Sequence, residues 1–345
     1  MTSHPEFGHD TKASDVADTF ANQINGRVVV ITGVSRGGLG GGAALAIARH
    51  NPSLLILVSR TQSKLDDIMS DMKAVNPSIG PALKTVLVDL TSQATVRRAA
   101  AEIQALTPRI DLLINNAGFF LQTRSFSPEG IESQLAGNHV GHFLLTNLLK
   151  PQLVAAAKDA APGATRVVNV SSEGHRSQPF RFHDYNIENK PVPPEEETTP
   201  AMDFIPKTLL KPTDGYIGFV AYGQSKTANV LFSVGLNERW KGTGVVSYVL
   251  HPGRSDEAIS TEVGRDLDSQ DFEDFVKMLN PKAGVDEGAS TTVVAALDPA
   301  LNELKGGNNI YLDDCQIKEA EPYAIDPEKA DRLWKLSEEL VKQTF

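Results

Sequence analysis

Cysteine is almost missing from this chain of 345 residues: Cys315 stands alone. No disulfide can form within it and no cysteine-built metal cluster is possible, which suits a reducing compartment. Long apolar runs are missing too, and none approaches the roughly 18 residues needed to span a bilayer. Basic residues are outnumbered, 33 Lys and Arg against 43 Asp and Glu, for a net charge of −10. Such a surface suits neither a nucleic-acid backbone nor anionic lipid, although a local basic pocket stays open. The first twenty residues do not have the basic-then-apolar layout of a signal peptide. These deficits predict a cytoplasmic protein with no nucleic-acid partner and no membrane span, with residues 1–22 as a mobile leader.

What is present is an alternation. Short β-branched runs at 28–31, 54–58, 85–88, 112–114, 166–170, 245–250 and 309–312 are separated by longer helical patterns. The helices should start near Gly40, Gln62, Ser92, Pro128, Tyr222, Asp286 and Pro327. The runs are apolar on both faces, as strands of a parallel sheet covered by helices must be. The expected fold is α/β: a single doubly wound parallel sheet of about seven strands, with helices on both faces, over residues 23–345. Ligands of such sheets bind outside the carboxyl ends of the strands. Residues 173–221 interrupt the pattern and hold six of the 22 aromatic residues. Part of this insert should pack as a substrate lid, with the Pro/Glu stretch at 191–197 left exposed.

Thr32-Gly33-Val34-Ser35-Arg36-Gly37-Gly38-Leu39-Gly40 joins the first strand to the first helix. Glycines there let the backbone approach a pyrophosphate, and the helix start supplies N–H groups and a positive dipole end. Twenty residues beyond Gly40, where an NAD-binding sheet places a carboxylate for the ribose, stands Arg60. A guanidinium there favours the 2′-phosphate, so NADP(H) is preferred over NAD(H). Arg36 could reach the same phosphate.

Tyr222 and Lys226 lie four apart on one helix face. A tyrosine hydroxyl has a pKa near 10, and a neighbouring ammonium favours the phenolate, bringing proton transfer toward neutral pH. Ser171 and Ser172 end the fifth strand and offer a hydroxyl to polarise a carbonyl oxygen. His139 and His142, three apart on a helix, have no third ligand at metal spacing; they read as packing or hydrogen-bonding groups, and no metal is expected.

Taken together, Thr32-Gly33 with its glycine loop, Asp89-Leu90, Asn115-Asn116-Ala117-Gly118, Asn138, Ser172, Tyr222-x-x-x-Lys226 and Pro252-Gly253 resemble the short-chain dehydrogenase/reductase family. The stretch at 138–149 is similar to its retinol-dehydrogenase and WW-domain-oxidoreductase branch. The resemblance implies a Rossmann-type domain in which Tyr222 is the general acid–base, Lys226 lowers its pKa, Ser172 orients the substrate oxygen and Asn138 supports a relay water. It places Asp89 and Leu90 by the adenine, Asn116, Ala117 and Gly118 along the cofactor cleft, and Pro252 and Gly253 at the nicotinamide end. It also implies a possible homodimer through the helices after Pro128 and Tyr222, a face the insert could block.

The expected reaction is NADPH-dependent reduction of a carbonyl on a fairly large apolar small molecule, reversible as alcohol oxidation. The same groups would suit an activated C=C bond or an imine, and a cofactor-sensing protein without turnover is the reading from another class. Three features depart from the family pattern. The loop has one extra residue, leaving open whether Gly37 or Gly38 takes the second glycine position. The interval from Ser172 to Tyr222 is long. Residues 254–257 are inserted before Thr261.

Overall fold

The computed structural model describes residues 1–202, 205, 207, 210–253, 281–304 and 309–345. Thr261, the inserted residues 254–257 and Phe204 of the aromatic-rich insert lie outside these. Eight strands form one sheet: β1 (Val28–Thr32), β2 (Leu54–Ser59), β3 (Leu83–Leu87), β4 (Leu112–Asn115), β5 (Thr165–Val170), β6 (Val245–Leu250), β7 (Tyr311–Asp313) and β8 (Gln316–Ile317). Their order is β3-β2-β1-β4-β5-β6-β7-β8. The first seven are parallel, with Val28 opposite Leu54 and Val29 opposite Leu112. Strand order reverses between β1 and β4, and a crevice opens there at the carboxyl ends. β8 adds one strand to the seven expected runs. It is only two residues long and antiparallel to β7 across a tight turn, too short to leave a periodic signal.

The helices are α1 (Ala13–Thr19), α2 (Leu39–Ala48), α3 (Gln62–Val75), α4 (Gln93–Leu106), α5 (Ser133–Leu135), α6 (Gly141–Leu148), α7 (Lys150–Ala157), α8 (Gly218–Arg239), α9 (Val285–Leu297) and α10 (Pro327–Val341). A single π-helical turn, Ala136–Val140, joins α5 to α6. Central strands β1, β4 and β5 are buried along their whole length, which explains their largely apolar runs; in β5 the buried Arg166 and Asn169 are hydrogen-bonded. β3 mixes buried Leu83 and Val86 with exposed Lys84 and Leu87, as an edge strand can. Among the described residues no helix is long and apolar enough to cross a membrane.

The N-terminal residues are not the mobile leader their polarity predicts. Ala13, Val16 and Ala17 are fully buried in the main core, with Phe20 and Ile24 beside them. Ser14 bonds Asp286 at the start of α9, and the Ser3 amide and hydroxyl donate to Asp298 at 2.7 and 2.6 Å. Such partners lie nearly 300 residues away, where local composition carries no trace of them.

The insert packs in part. Ile187, Ile205, Tyr216, Val220 and Ala221 form a small core of their own. Its Pro/Glu stretch is not wholly exposed, because Glu196 is buried and accepts hydrogen bonds from the His183 amide and faces Arg332 of α10. α10 lies across α6 and α8: Trp334 meets Phe143 at 5.0 Å between ring centres, and His139 shares a 2.9 Å hydrogen bond with Ser337. It therefore covers part of the face that a possible homodimer would use.

Candidate active site

The crevice at the switch point is a cleft of about 460 Å³. Of the residues expected to bind a cofactor, Gly33, Ser35, Gly38, Leu39, Arg60, Asp89, Leu90, Asn116, Ala117 and Gly118 line it. Gly33 has a left-handed backbone (φ +73°), and a β-carbon there would lie 2.6 Å from Ala117 Cα. Only glycine lets the β1 and β4 turns meet this closely.

The extra loop residue is absorbed at Gly37, which turns left-handed (φ +75°). Gly38 then takes an extended conformation as the N-cap of α2, and no side chain caps that helix. Its first N–H groups are left for an anion. Gly37 and Gly40 are not in the cleft lining. Gly40 instead packs α2 onto Asn116, whose amide a β-carbon would overlap.

Arg36 is the clearest correction. Its guanidinium turns onto α3, where Nε and Nη2 each lie 2.7 Å from Asp71 and Nη1 is 3.9 Å from Asp67. Two carboxylates one turn apart hold it away from the cleft. Arg60 does line the cleft, with its guanidinium 5.8 Å from the centre of the Phe119 ring. Lys64, which sequence reasoning missed, lines the same end. Its position four residues after Arg60, on the first turn of α3, was the available signal. Among the described residues no carboxylate pairs with either cation.

Beneath the cleft, the Thr32 hydroxyl accepts hydrogen bonds from the Asn116 and Ala117 amides at 3.0 and 3.1 Å. It also meets His142 Nε2 at 2.8 Å, while His142 Nδ1 lies 3.0 Å from the Asn138 carbonyl. A carbonyl only accepts, so Nδ1 carries the proton and Nε2 accepts from Thr32. Burial, opposed by the bond to Asn138 and helped by the Lys226 charge, holds His142 neutral with a pKa of about 4.

Asn138, Ser172, Tyr222 and Lys226, expected to do the chemistry, lie outside the cleft lining: Lys226 and Asn138 sit behind its Gly118, Tyr222 behind its Phe120, and Ser172 meets Tyr222 at Gly174. A β-carbon on Gly118 would lie 2.9 Å from Lys226 Nζ and 3.6 Å from Asn138 Oδ1. One on Gly174 would lie 3.3 Å from the Tyr222 ring and 3.6 Å from Ser172 Oγ. Lys226 Nζ stands 5.4 Å from the Tyr222 ring centre and 3.4 Å from the Val170 carbonyl. Asn138 sits in the π-turn, a rare geometry concentrated at functional sites. Its carboxamide accepts from the Phe119 amide at 3.0 Å and donates to Ser225 Oγ at 3.0 Å, so it fixes the strand-end segment to α8. Phe120, another lining residue, stands edge-on to Tyr222 at 5.9 Å and packs on Phe219 at 4.8 Å. Pro252 and Gly253 follow β6 and are buried, outside the cleft lining.

Glu132 is a second residue the sequence reading missed. Fully buried, it caps α5 through the Gln134 and Leu135 amides and accepts from the Tyr216 hydroxyl at 2.8 Å. It thereby ties the end of the insert to the segment carrying Asn138. Burial raises its pKa above the usual carboxylate value.

Residues 27–186 match the sequence profile of the short chain dehydrogenases. The chain is 34% identical to retinol dehydrogenase 12 of Bos taurus, over 92% of its own length and 87% of the relative's. It is 36% identical to the oxidoreductase fscI of Fusarium equiseti, over 72% of this chain and 94% of that one. This chain belongs to the short-chain dehydrogenase/reductase family. It is an oxidoreductase of the retinol-dehydrogenase branch, a family that acts on alcohol and carbonyl groups. Among solved structures, an uncharacterized protein from Mycobacterium paratuberculosis superposes with a TM-score of 0.61 at 28% identity, covering 93% of this chain and 96% of that one.

Proposed function

We propose that this short-chain dehydrogenase/reductase uses NADP(H) to reduce a carbonyl on a fairly large apolar molecule, and reversibly to oxidise the alcohol. The observation that carries the reading is a cleft lined by the cations Arg60 and Lys64 and by Gly118 and Phe120, with Lys226 and Asn138 packed behind Gly118, Tyr222 behind Phe120, and Ser172 beside Tyr222 at Gly174. The residues present fit the cofactor. Gly33, Gly38 and Leu39 would hold the pyrophosphate at the start of α2, and Arg60 with Lys64 the 2′-phosphate. Asp89 and Leu90 would border the adenine, with Asn116 to Gly118 along its length. When bound, the cofactor supplies the hydride.

The protein's part is orientation and proton transfer. Ser172 would donate to the substrate oxygen and stabilise charge developing there. Tyr222 would give its hydroxyl proton to that oxygen in reduction and take it back in oxidation. The Lys226 ammonium favours the phenolate that remains, and Asn138 would hold a water for the returning proton. The Phe120–Phe219 pair against Tyr222 supports an apolar substrate and a role for residues 173–221 as one wall of its pocket.

The test uses purified protein, NADPH or NADH, and a small-molecule extract, with cofactor oxidation followed while mass spectrometry seeks a compound gaining two hydrogens. Consumption of NADPH with one carbonyl compound changing supports the reading. A product reduced at C=C or C=N corrects the reaction class. In Tyr222→Phe, NADPH binding should persist while turnover falls at least about 100-fold; retained turnover removes Tyr222 from its role.

A further inference from the structure

Gly253 and Lys282 stand on either side of the residues outside the described set, and they touch. Gly253 is left-handed (φ +89°), and a β-carbon there would overlap Lys282 Cε and lie 2.5 Å from Cδ. The lysine stem is thus the surface on which the Gly253 backbone rests. Its side chain is only 1% exposed, and its ammonium lies 2.9 Å from Asp314 Oδ1 and donates to the His9 carbonyl at 2.9 Å.

Both partners are themselves held. Asp314 and Cys315 form the two-residue turn between β7 and β8, left-handed at both positions (φ +44° and +64°) without a glycine. The Cys315 amide donates to Thr291 Oγ1 of α9 at 3.1 Å. His9 belongs to the N-terminal segment, which Gln316 Nε2 grips through the His4 and Phe7 carbonyls at 3.0 and 2.8 Å. A buried ammonium is costly to desolvate, and a methionine would fill the same space without that cost. The charge therefore does something packing alone would not require: it fixes the corner after β6 to β7, β8 and the N-terminal segment.

We propose that Lys282 is a positioning residue for the nicotinamide end of the site. It acts through Gly253 and is itself clamped by Asp314 and the His9 carbonyl. The N-terminal segment is then part of the site's frame. This inference rests on the NADP(H) reading above, with Gly253 at the nicotinamide end.

The experiment titrates wild type, Lys282→Met and Asp314→Asn with two ligands. NADPH is followed by nicotinamide fluorescence. Adenosine 2′,5′-bisphosphate, which has the adenine end and no nicotinamide, is followed by calorimetry. Lys282→Met should weaken NADPH about tenfold, the loss of one charge-assisted clamp, with the bisphosphate unchanged within about twofold. Asp314→Asn keeps a residue that tolerates the left-handed turn and should show the same selective pattern, about threefold. It carries the test should Lys282→Met fail to fold. Equal weakening of both ligands, or of neither, overturns the proposal. Wild type that binds the bisphosphate but not NADPH overturns the placement of Gly253; wild type that binds neither overturns the cofactor reading, and this inference with it.

Discussion

Acidification from pH 7 to pH 5 should destabilise the fold chiefly through three buried imidazoles. Burial holds His142 and His175 at pKa values of about 4 and His139 at about 3, against about 6.5 for an exposed histidine. In the unfolded chain each takes up a proton as the pH falls below 6.5, whereas in the folded chain each stays neutral until about 4 or lower. The unfolded state therefore binds more protons across that window, and stability falls with the pH. Linkage gives about 2 kcal/mol per imidazole between pH 7 and 5, about 6 kcal/mol for the three. Buried Glu132 and Asp313 run the other way: burial raises the Glu132 carboxyl, and burial, with Glu173 and Asp314 nearby, raises the pKa of Asp313 to about 6. The folded form of Asp313 then gains the proton first, which returns at most about 1 kcal/mol over the same interval, less its partial exposure. The net loss is comparable to the whole stability of many domains. Urea unfolding at the two pH values, followed through buried Trp240 and Trp334, reads it directly. In His142→Gln the difference between the two pH values should shrink by about 2 kcal/mol, whatever the variant does to stability at pH 7. An unchanged difference would refute the neutral, Nε2-accepting state assigned to His142.

The other expected outcomes concern the cleft and its frame. Arg60→Ala with Lys64→Ala should weaken NADPH at least about tenfold and leave NADH within about twofold, measured by direct titration; equal losses would remove both cations from a 2′-phosphate role. Gly33→Ala places a β-carbon against Ala117 in a left-handed backbone, so the melting temperature should fall by several degrees and NADPH binding be lost. Tyr216→Phe removes a hydroxyl shared by Glu132 and Gln134 in a buried network, and should cost about 1–3 kcal/mol in denaturant unfolding.

Particular elements show what the sequence could and could not convey. The strands β1, β4 and β5 are buried on both faces, and the largely apolar runs at 28–31, 112–114 and 167–168 follow from that, so they were legible. The strand ends facing the cleft were legible because close backbone approach restricts them to glycine, asparagine and small residues, each leaving a mark at its own position. Arg36 failed for the opposite reason. Nothing near it in the chain distinguishes a guanidinium aimed at a phosphate from one held by carboxylates of α3. The glycines and Asn116 that lie in the cleft answer to backbone geometry; Arg36 and Arg60 were read from charge alone, and of these only Arg60 lines the cleft.

The same distinction explains why the frame around the site escaped a reading along the chain. Glu132 and Lys282 are charged residues buried with polar partners. Alone, each has the signature of a solvated surface residue, because charge predicts exposure and only a partner reverses that prediction. For Glu132 the partner is Tyr216, 84 residues away; for Lys282 the partners are His9, 273 residues earlier, and Asp314. The aspartate lies nearest in sequence, yet it reaches the ammonium only because β7 pairs with β6 and the turn to β8 is left-handed. Burying such groups destabilises a fold unless their pairing is complete, so each marks a place where one conformation is held at a cost in stability. Both stand where the insert and the N-terminal segment meet the central sheet. If their charges only filled space, Lys282→Met would be silent toward NADPH and Tyr216→Phe silent toward stability; both should instead be costly, each in its own assay.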